Sequence, residues 1–151
     1  MREVKLKQTK FVIYPTAKIC KTIKHGQEGD ICDFVFATSN LVIGERVHIA
    51  AGVKLVGKGT VYIGDDSTIA PNCVIYTSVP DMGTGRYGNY DNKMRLKIAD
   101  VHIGKNVFIG AGSVIAQGVK IKDCIVIPAL SYIGEGKTIN KSPKMRKVQS
   151  Q

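Results

Sequence analysis

Isoleucine stands at positions 103, 109, 115, 121, 127, 133 and 139, six residues apart each time. A helix asks for a period of about 3.6 and a half-buried strand for about 2, so neither explains the spacing. The same register runs backward through the chain. It begins at Ile13 and passes Ile19, His25, Ile31, Ala37, Ile43, Ile49 and Leu55. Two extra residues enter in GKGTVY (57–62), and the register resumes at Ile63, Ile69 and Ile75. A second column lies four residues after each lead position: Ala17, Ile23, Gly29, Val35, Leu41, Val47, Val53, Ser67, Cys73, Val79, Val107, Ser113, Val119, Ile125 and Ser131. These are mostly small or β-branched. Glycine follows the lead residue at 44, 64, 104, 110 and 134.

A six-residue unit of this kind is a short strand plus a corner. The lead aliphatic points inward, the small residue four later also points inward, and glycine relieves the bend. Three units close a triangle of about eighteen residues, and triangles stack so that parallel ladders form between coils and the lead residues fill the axis. The β-branched content argues against an amphipathic helix. The expected fold is therefore all-β, a parallel β-helix of about six to seven triangular coils. It spans residues 11–140, after an N-terminal extension (1–10) and before a basic tail (141–151) that includes a short C-terminal cap. Residues 77–96, TSVPDMGTGRYGNYDNKMRL, carry no repeat and are expected to project as one long loop. A segment of that length without structure of its own is usually functional or disordered.

Composition narrows the class of function. The 151 residues suit one domain. No stretch approaches about 18 uninterrupted apolar residues, so no membrane span is expected. The basic start, MREVKLKQTK, lacks the apolar core of a signal peptide, and a cytoplasmic location is the default expectation. The four cysteines (20, 32, 73, 124) form no CxxC pair and read as small buried or half-buried thiols, with no metal expected. The formal charge of +10 is concentrated at the ends: seven Lys/Arg against one acid in 1–24, and five against none in 136–151. An anionic partner would suit that charge. Nucleic acid is not expected, because no motif or aromatic platform accompanies the charge.

The repeat, [Leu/Ile/Val]-Gly-x-x-[Ser/Thr/Ala/Val]-x, resembles that of the hexapeptide-repeat acyltransferases, which are left-handed parallel β-helices. Within them the chain resembles the small sugar O-acetyltransferases. The resemblance rests on IGERVHIAAGVKLVG (43–57), IYTSVPD (75–81), VHIGKNVFIGAGSVIAQGVKI (101–121) and INKSPKMRKV (139–148). The left hand comes from this resemblance; the general preference for right-handed crossovers would have given the other. The resemblance implies acetyl-CoA as co-substrate, a sugar or glycan acceptor, and a homotrimer with active sites between subunits. It places acetyl-CoA near Phe108 (where the family usually has Trp), Ala111 and Ala129, with Lys141, Lys144 and Arg146 meeting the adenosine phosphates.

Acyl transfer to a hydroxyl or amine needs a base for the nucleophile's proton and a donor for the oxyanion. Galactoside-type members carry the catalytic histidine on the extruded loop, and this loop has none. Three histidines remain. His25 sits at an inward lead position, which suits a structural role. His48, in VHIAAG, resembles a corner where the family places a histidine, and is the expected base. His102, with Asp81, is the second choice. Counting 97–102 as a degenerate unit puts His48 and His102 on one edge, two coils or roughly 10 Å apart. Tyr76, Asp81, Arg86, Tyr87 and Tyr90 are expected to contact the acceptor. Two other readings stay open: N-acetylation of a nucleotide-linked amino sugar, and a non-catalytic scaffold or carbohydrate-binding β-helix. A γ-type carbonic anhydrase on this fold would need paired histidines, and no HxxxxH pair occurs.

Overall fold

The structure is a computed structural model and describes residues 10–81 and 95–144. Its described residues contain no helix; they form three six-stranded parallel sheets and one two-stranded ribbon. The first face stacks β1 (Phe11–Ile13), β4 (Gly29–Ile31), β7 (Val47–Ile49), β10 (Thr68–Ile69), β15 (Phe108–Ile109) and β18 (Val126–Ile127). The second stacks β2 (Lys18–Ile19), β5 (Phe36–Ala37), β8 (Lys54–Val56), β11 (Val74–Tyr76), β16 (Val114–Ile115) and β19 (Tyr132–Ile133). The third stacks β3 (Ile23–Lys24), β6 (Asn40–Ile43), β9 (Thr60–Ile63), β14 (Val101–Ile103), β17 (Lys120–Ile121) and β20 (Thr138–Ile139). The chain visits the three faces in turn, giving a left-handed β-helix of six coils.

The six-residue register is the register of the core. Ile31, Ile49, Ile69, Ile109 and Ile127 stack along the first face and are fully buried. The second column lies inside as well, with Val35, Val53, Ser67, Cys73 and Ser113 all sealed from solvent. Each fully buried Ile contributes about 1.5–3 kcal/mol of transfer free energy. The polar members of the column are satisfied by the next coil: Ser67 Oγ donates to Gly104 O (2.8 Å) and accepts from Val107 N (3.0 Å). No buried side-chain N or O among the described residues lacks a partner.

The corners work differently from the expectation. At most corners of the described residues the left-handed backbone falls three residues after the lead, not one. It is held there by Gly52 and Gly112, and also by Phe34, Arg46, Asp66, Asn72, Asn106, Cys124 and Leu130, with φ between 52° and 60°. Glycine one residue after the lead serves close approach between coils instead. A Cβ on Gly64 would stand 2.6 Å from the backbone carbon of Gly104 in the coil above.

Three further expectations need correction. Residues 97–102 are not a separate side of the prism: 101 and 102 open β14 of the third face, and the residues before them add no unit. Strand β12 (Ser78–Pro80) pairs antiparallel with β13 (Leu96–Ile98), so the chain leaves and re-enters the coil as a ribbon at the corner between the second and third faces. Val79 therefore lies in that ribbon, half-buried, and not in the inner column. His25 is exposed, its ring stacked on Phe11 at 4.0 Å, because the first coil has no coil beneath it among the described residues. Cys20 and Cys124 are exposed, whereas Cys32 is half-buried and Cys73 buried. No helix among the described residues is long and apolar enough to cross a membrane.

Candidate functional site

The first face carries the densest chemistry. Its outward column, read up the stack by strand register, is Val12, Asp30, His48, Thr68, Phe108 and Val126. A coil of eighteen residues sets Asp30 directly beneath His48. His48 Nδ1 lies 2.8 Å from Asp30 Oδ1. The Asp30 side chain is 11% exposed and that of His48 is 43% exposed. An ionised carboxylate only accepts, so Nδ1 carries the proton of this bond; in the neutral imidazole the lone pair is then on Nε2. Nε2 makes no hydrogen bond among the described residues. The pair has the arrangement of an oriented general base: one ring nitrogen fixed by a carboxylate, the other available to a nucleophile's proton.

Cys32 joins this pair from the corner. Asp30 and Cys32 flank the inward Ile31, and alternation along the strand sends both outward. Cys32 Sγ donates to Asp30 Oδ2 at 3.4 Å. Burial, and then the hydrogen bond and charge of Asp30, push the thiol up to about 11. Neither Asp30 nor Cys32 was expected from the sequence. The available signal was arithmetical: one coil of eighteen residues subtracted from 48 gives 30.

Above His48 the face opens into a shallow groove of about 250 Å³ lined by Asp66, Thr68, Asn106, Val107, Phe108, Cys124 and Val126. Phe108 is two strands from His48, roughly 10 Å at the spacing of stacked strands. Ala111 and Ala129 lie at the neighbouring corner, both exposed and one coil apart, tied by the Leu130 N–H donating to Ala111 O (2.9 Å). The backbone after β20 comes back to this face, where Ser142 Oγ accepts from Val126 N at 2.9 Å. Lys141 and Lys144 are exposed on either side of that contact. Arg146 lies outside the described residues.

His102 is elsewhere. Strand β14 belongs to the third face, where His102 pairs with Tyr62 and Lys120. Its ring stacks on Tyr62 with centroids 4.5 Å apart and planes 2° from parallel. The expected shared edge with His48 fails because the ribbon replaces the unit that was counted at 97–102. Asp81 follows β12 at the end of the ribbon away from the coil, its N–H donating to Arg95 O (2.8 Å) and its carboxylate 3.6 Å from Lys97 Nζ. Tyr76 ends β11 at the corner the ribbon leaves from, packed against the core. Burial, followed by a hydrogen bond with Tyr132, pushes its hydroxyl up to about 12. Arg86, Tyr87 and Tyr90 lie outside the described residues. Within one chain, then, the ribbon leaves from the corner opposite the first face, and Tyr76 and Asp81 do not meet His48.

Residues 100–134 match the family profile described as the hexapeptide repeat of succinyl-transferase. The chain is 32% identical over 113 residues to a dTDP-4-amino-4,6-dideoxy-D-glucose acyltransferase of Escherichia coli, covering 70% of this chain and 57% of that protein. The chain thus spans little more than half the length of that relative. Among solved structures it is similar to AntD, an N-acyltransferase from Bacillus cereus. One AntD variant, in complex with dTDP-4-amino-4,6-dideoxyglucose and coenzyme A, superposes with a TM-score of 0.76 at 26% identity, over 93% of this chain and 80% of that one. AntD with dTDP and 3-hydroxybutyryl-CoA gives a TM-score of 0.75 at 26% identity, over 85% and 72%. The coil, its six-residue register and these likenesses make the fold a left-handed β-helix, and the chain is similar to the sugar acyltransferases built on that fold.

Proposed function

We propose that the protein is an acyl-CoA-dependent acyltransferase that acts on a nucleotide-linked amino sugar, with His48 as general base. The observation that carries this reading is the Asp30–His48 pair, set on the same face as the groove at Phe108. The likeness to the E. coli acyltransferase and to AntD supplies the acceptor class and favours this reading over transfer to a plain sugar hydroxyl. In the proposed step Nε2 of His48 accepts a proton from the attacking amine as its nitrogen bonds to the thioester carbon. Asp30 holds the imidazolium that forms; as the carbon–sulfur bond breaks, the imidazolium gives this proton to the departing sulfur and coenzyme A leaves as the thiol. The acyl-CoA runs along the first face past Phe108, with Lys141 and Lys144 toward its phosphates.

The site is completed by a second subunit of a trimer. The ribbon departs opposite the first face, so in this reading the ribbon of a neighbouring prism carries Asp81 toward His48, while Tyr76 stays in β11 at the corner the ribbon leaves from. Exposed apolar residues on the second face and its corner with the first, Phe34, Leu130 and Tyr132, suit such packing.

O-acylation remains the second reading, on one observation. An oriented histidine–carboxylate pair is more necessary for a hydroxyl, which must lose its proton as it attacks, than for an amine already neutral near pH 8. Thiol release from acetyl-CoA, measured with dTDP-4-amino-4,6-dideoxyglucose and with its 4-hydroxy counterpart, separates the two. Turnover with the amine and none with the hydroxyl supports the proposal. The reverse pattern replaces it with O-acylation, and no turnover or coenzyme A binding at all leaves a non-catalytic β-helix.

A further inference from the structure

We propose that Asp30, Cys32 and His48 form a binding site for a thiophilic divalent cation of the zinc class, which holds His48 in the tautomer unable to act as a base. One donor atom from each residue lies within 4.8 Å of the other two. The three donors are an oxygen, a sulfur and a nitrogen, the set that suits zinc and its cobalt substitute rather than magnesium or calcium. The fold presents them without any loop. Asp30 and Cys32 project from one strand on either side of Ile31, and His48 sits one coil above Asp30. The Asp30 carboxylate already stands between the other two donors, with Oδ1 2.8 Å from His48 Nδ1 and Oδ2 3.4 Å from Cys32 Sγ. Bonds of about 2.0–2.3 Å in a tetrahedron place donors roughly 3.3–3.8 Å apart, so closure around an ion needs side-chain shifts of about 1 Å. Asp33, the next carboxylate, is already engaged by Thr16 Oγ1 at 2.6 Å, which leaves the fourth position to solvent.

The proton balance is definite. The ion takes the thiolate of Cys32, whose proton goes to solvent. It takes Nδ1 of His48 as a lone pair, so the ring proton moves to Nε2. Nε2 then has no lone pair for a nucleophile's proton. This inhibitory consequence rests on the proposed role of His48, whereas the metal site rests only on the geometry.

The test is a cobalt(II) titration of the full chain with the exposed Cys20 and Cys124 changed to serine. Expected are saturation at one equivalent, a thiolate-to-cobalt charge-transfer band in the near ultraviolet, and displacement of the band by zinc. Cys32→Ser should abolish the band, and Asp30→Asn should weaken cobalt affinity by roughly tenfold or more. Unfolding transitions of the metal-free variants, matching the parent, show that the fold is intact. No band in the parent, or a band that survives Cys32→Ser, overturns the site. Cobalt that binds with the band yet leaves acyl transfer unchanged upholds the site and removes His48 from the chemistry.

Discussion

At the scale of single residues the account turns on a hydrogen bond between neighbouring coils. Replacing His48 with Ala should lower kcat by about 10²–10⁴-fold, the usual worth of a general base, with little change in the KM for acyl-CoA. Asp30→Asn keeps the shape but lets a carboxamide N–H face Nδ1, which favours the wrong tautomer. A drop in kcat on the order of 10²-fold or more, with KM held, is expected. Steady-state kinetics of both variants check this. The outward position of His48 was legible in the sequence from its place before a lead Ile, a place His102 shares; its choice as base came from the resemblance of VHIAAG to a family corner. Asp30 was not, because a partner eighteen residues away is invisible until the coil length is used as a ruler. Tyr76 gives a second residue-level outcome. Its pKa is raised from the usual 10 to about 12, chiefly by burial. The folded state therefore holds a proton that the unfolded state releases between those values. That contribution to stability is complete below pH 10 and is lost as pH rises through 12. Chemical unfolding at pH 9 and pH 11 should show the loss, and Tyr76→Phe should reduce it.

At the scale of the coil, the lead column was legible almost in full. The period of six has no other physical reading, and Ile31 through Ile133 lie where it puts them. Ile109 is sealed in the axis, and Ile109→Ala should cost about 2–5 kcal/mol in thermal or denaturant unfolding. Val126→Ala, half exposed on the outer side of the same face, should cost far less. Gly64→Ala should also destabilise, because backbone and not a movable side chain faces the added methyl. The corner was read less well. The sequence marks glycine after the lead, and the natural inference is a bend. The bend falls two residues later, where Phe34, Cys124 and Leu130 adopt a left-handed backbone without being glycine. Tertiary stacking overrides the local preference there. The same limit misplaced His102. Residues 97–102 mimic a repeat unit, and only the pairing of Leu96–Ile98 with Ser78–Pro80 shows that they add none.

At the scale of the molecule, one prism displays its base and groove on one face and its ribbon at the opposite corner. That arrangement makes assembly a requirement of the proposed activity. Light scattering should give the mass of a trimer, and Leu130→Asp, at a corner residue 85% exposed, should break it up and abolish turnover without unfolding the coil. The proposed acceptor class comes from the likeness to dTDP-amino-sugar acyltransferases and from no residue pattern in the chain, since the nucleophile leaves no mark on a general base. The most direct measurement of the central claim is single-turnover acyl transfer from acetyl-CoA to dTDP-4-amino-4,6-dideoxyglucose by the wild type and by His48→Ala, with coenzyme A affinity determined calorimetrically for each. The account predicts equal affinity and a rate lower by at least about 10²-fold in the variant. Equal rates would contradict it, and would move the chemistry off the first face.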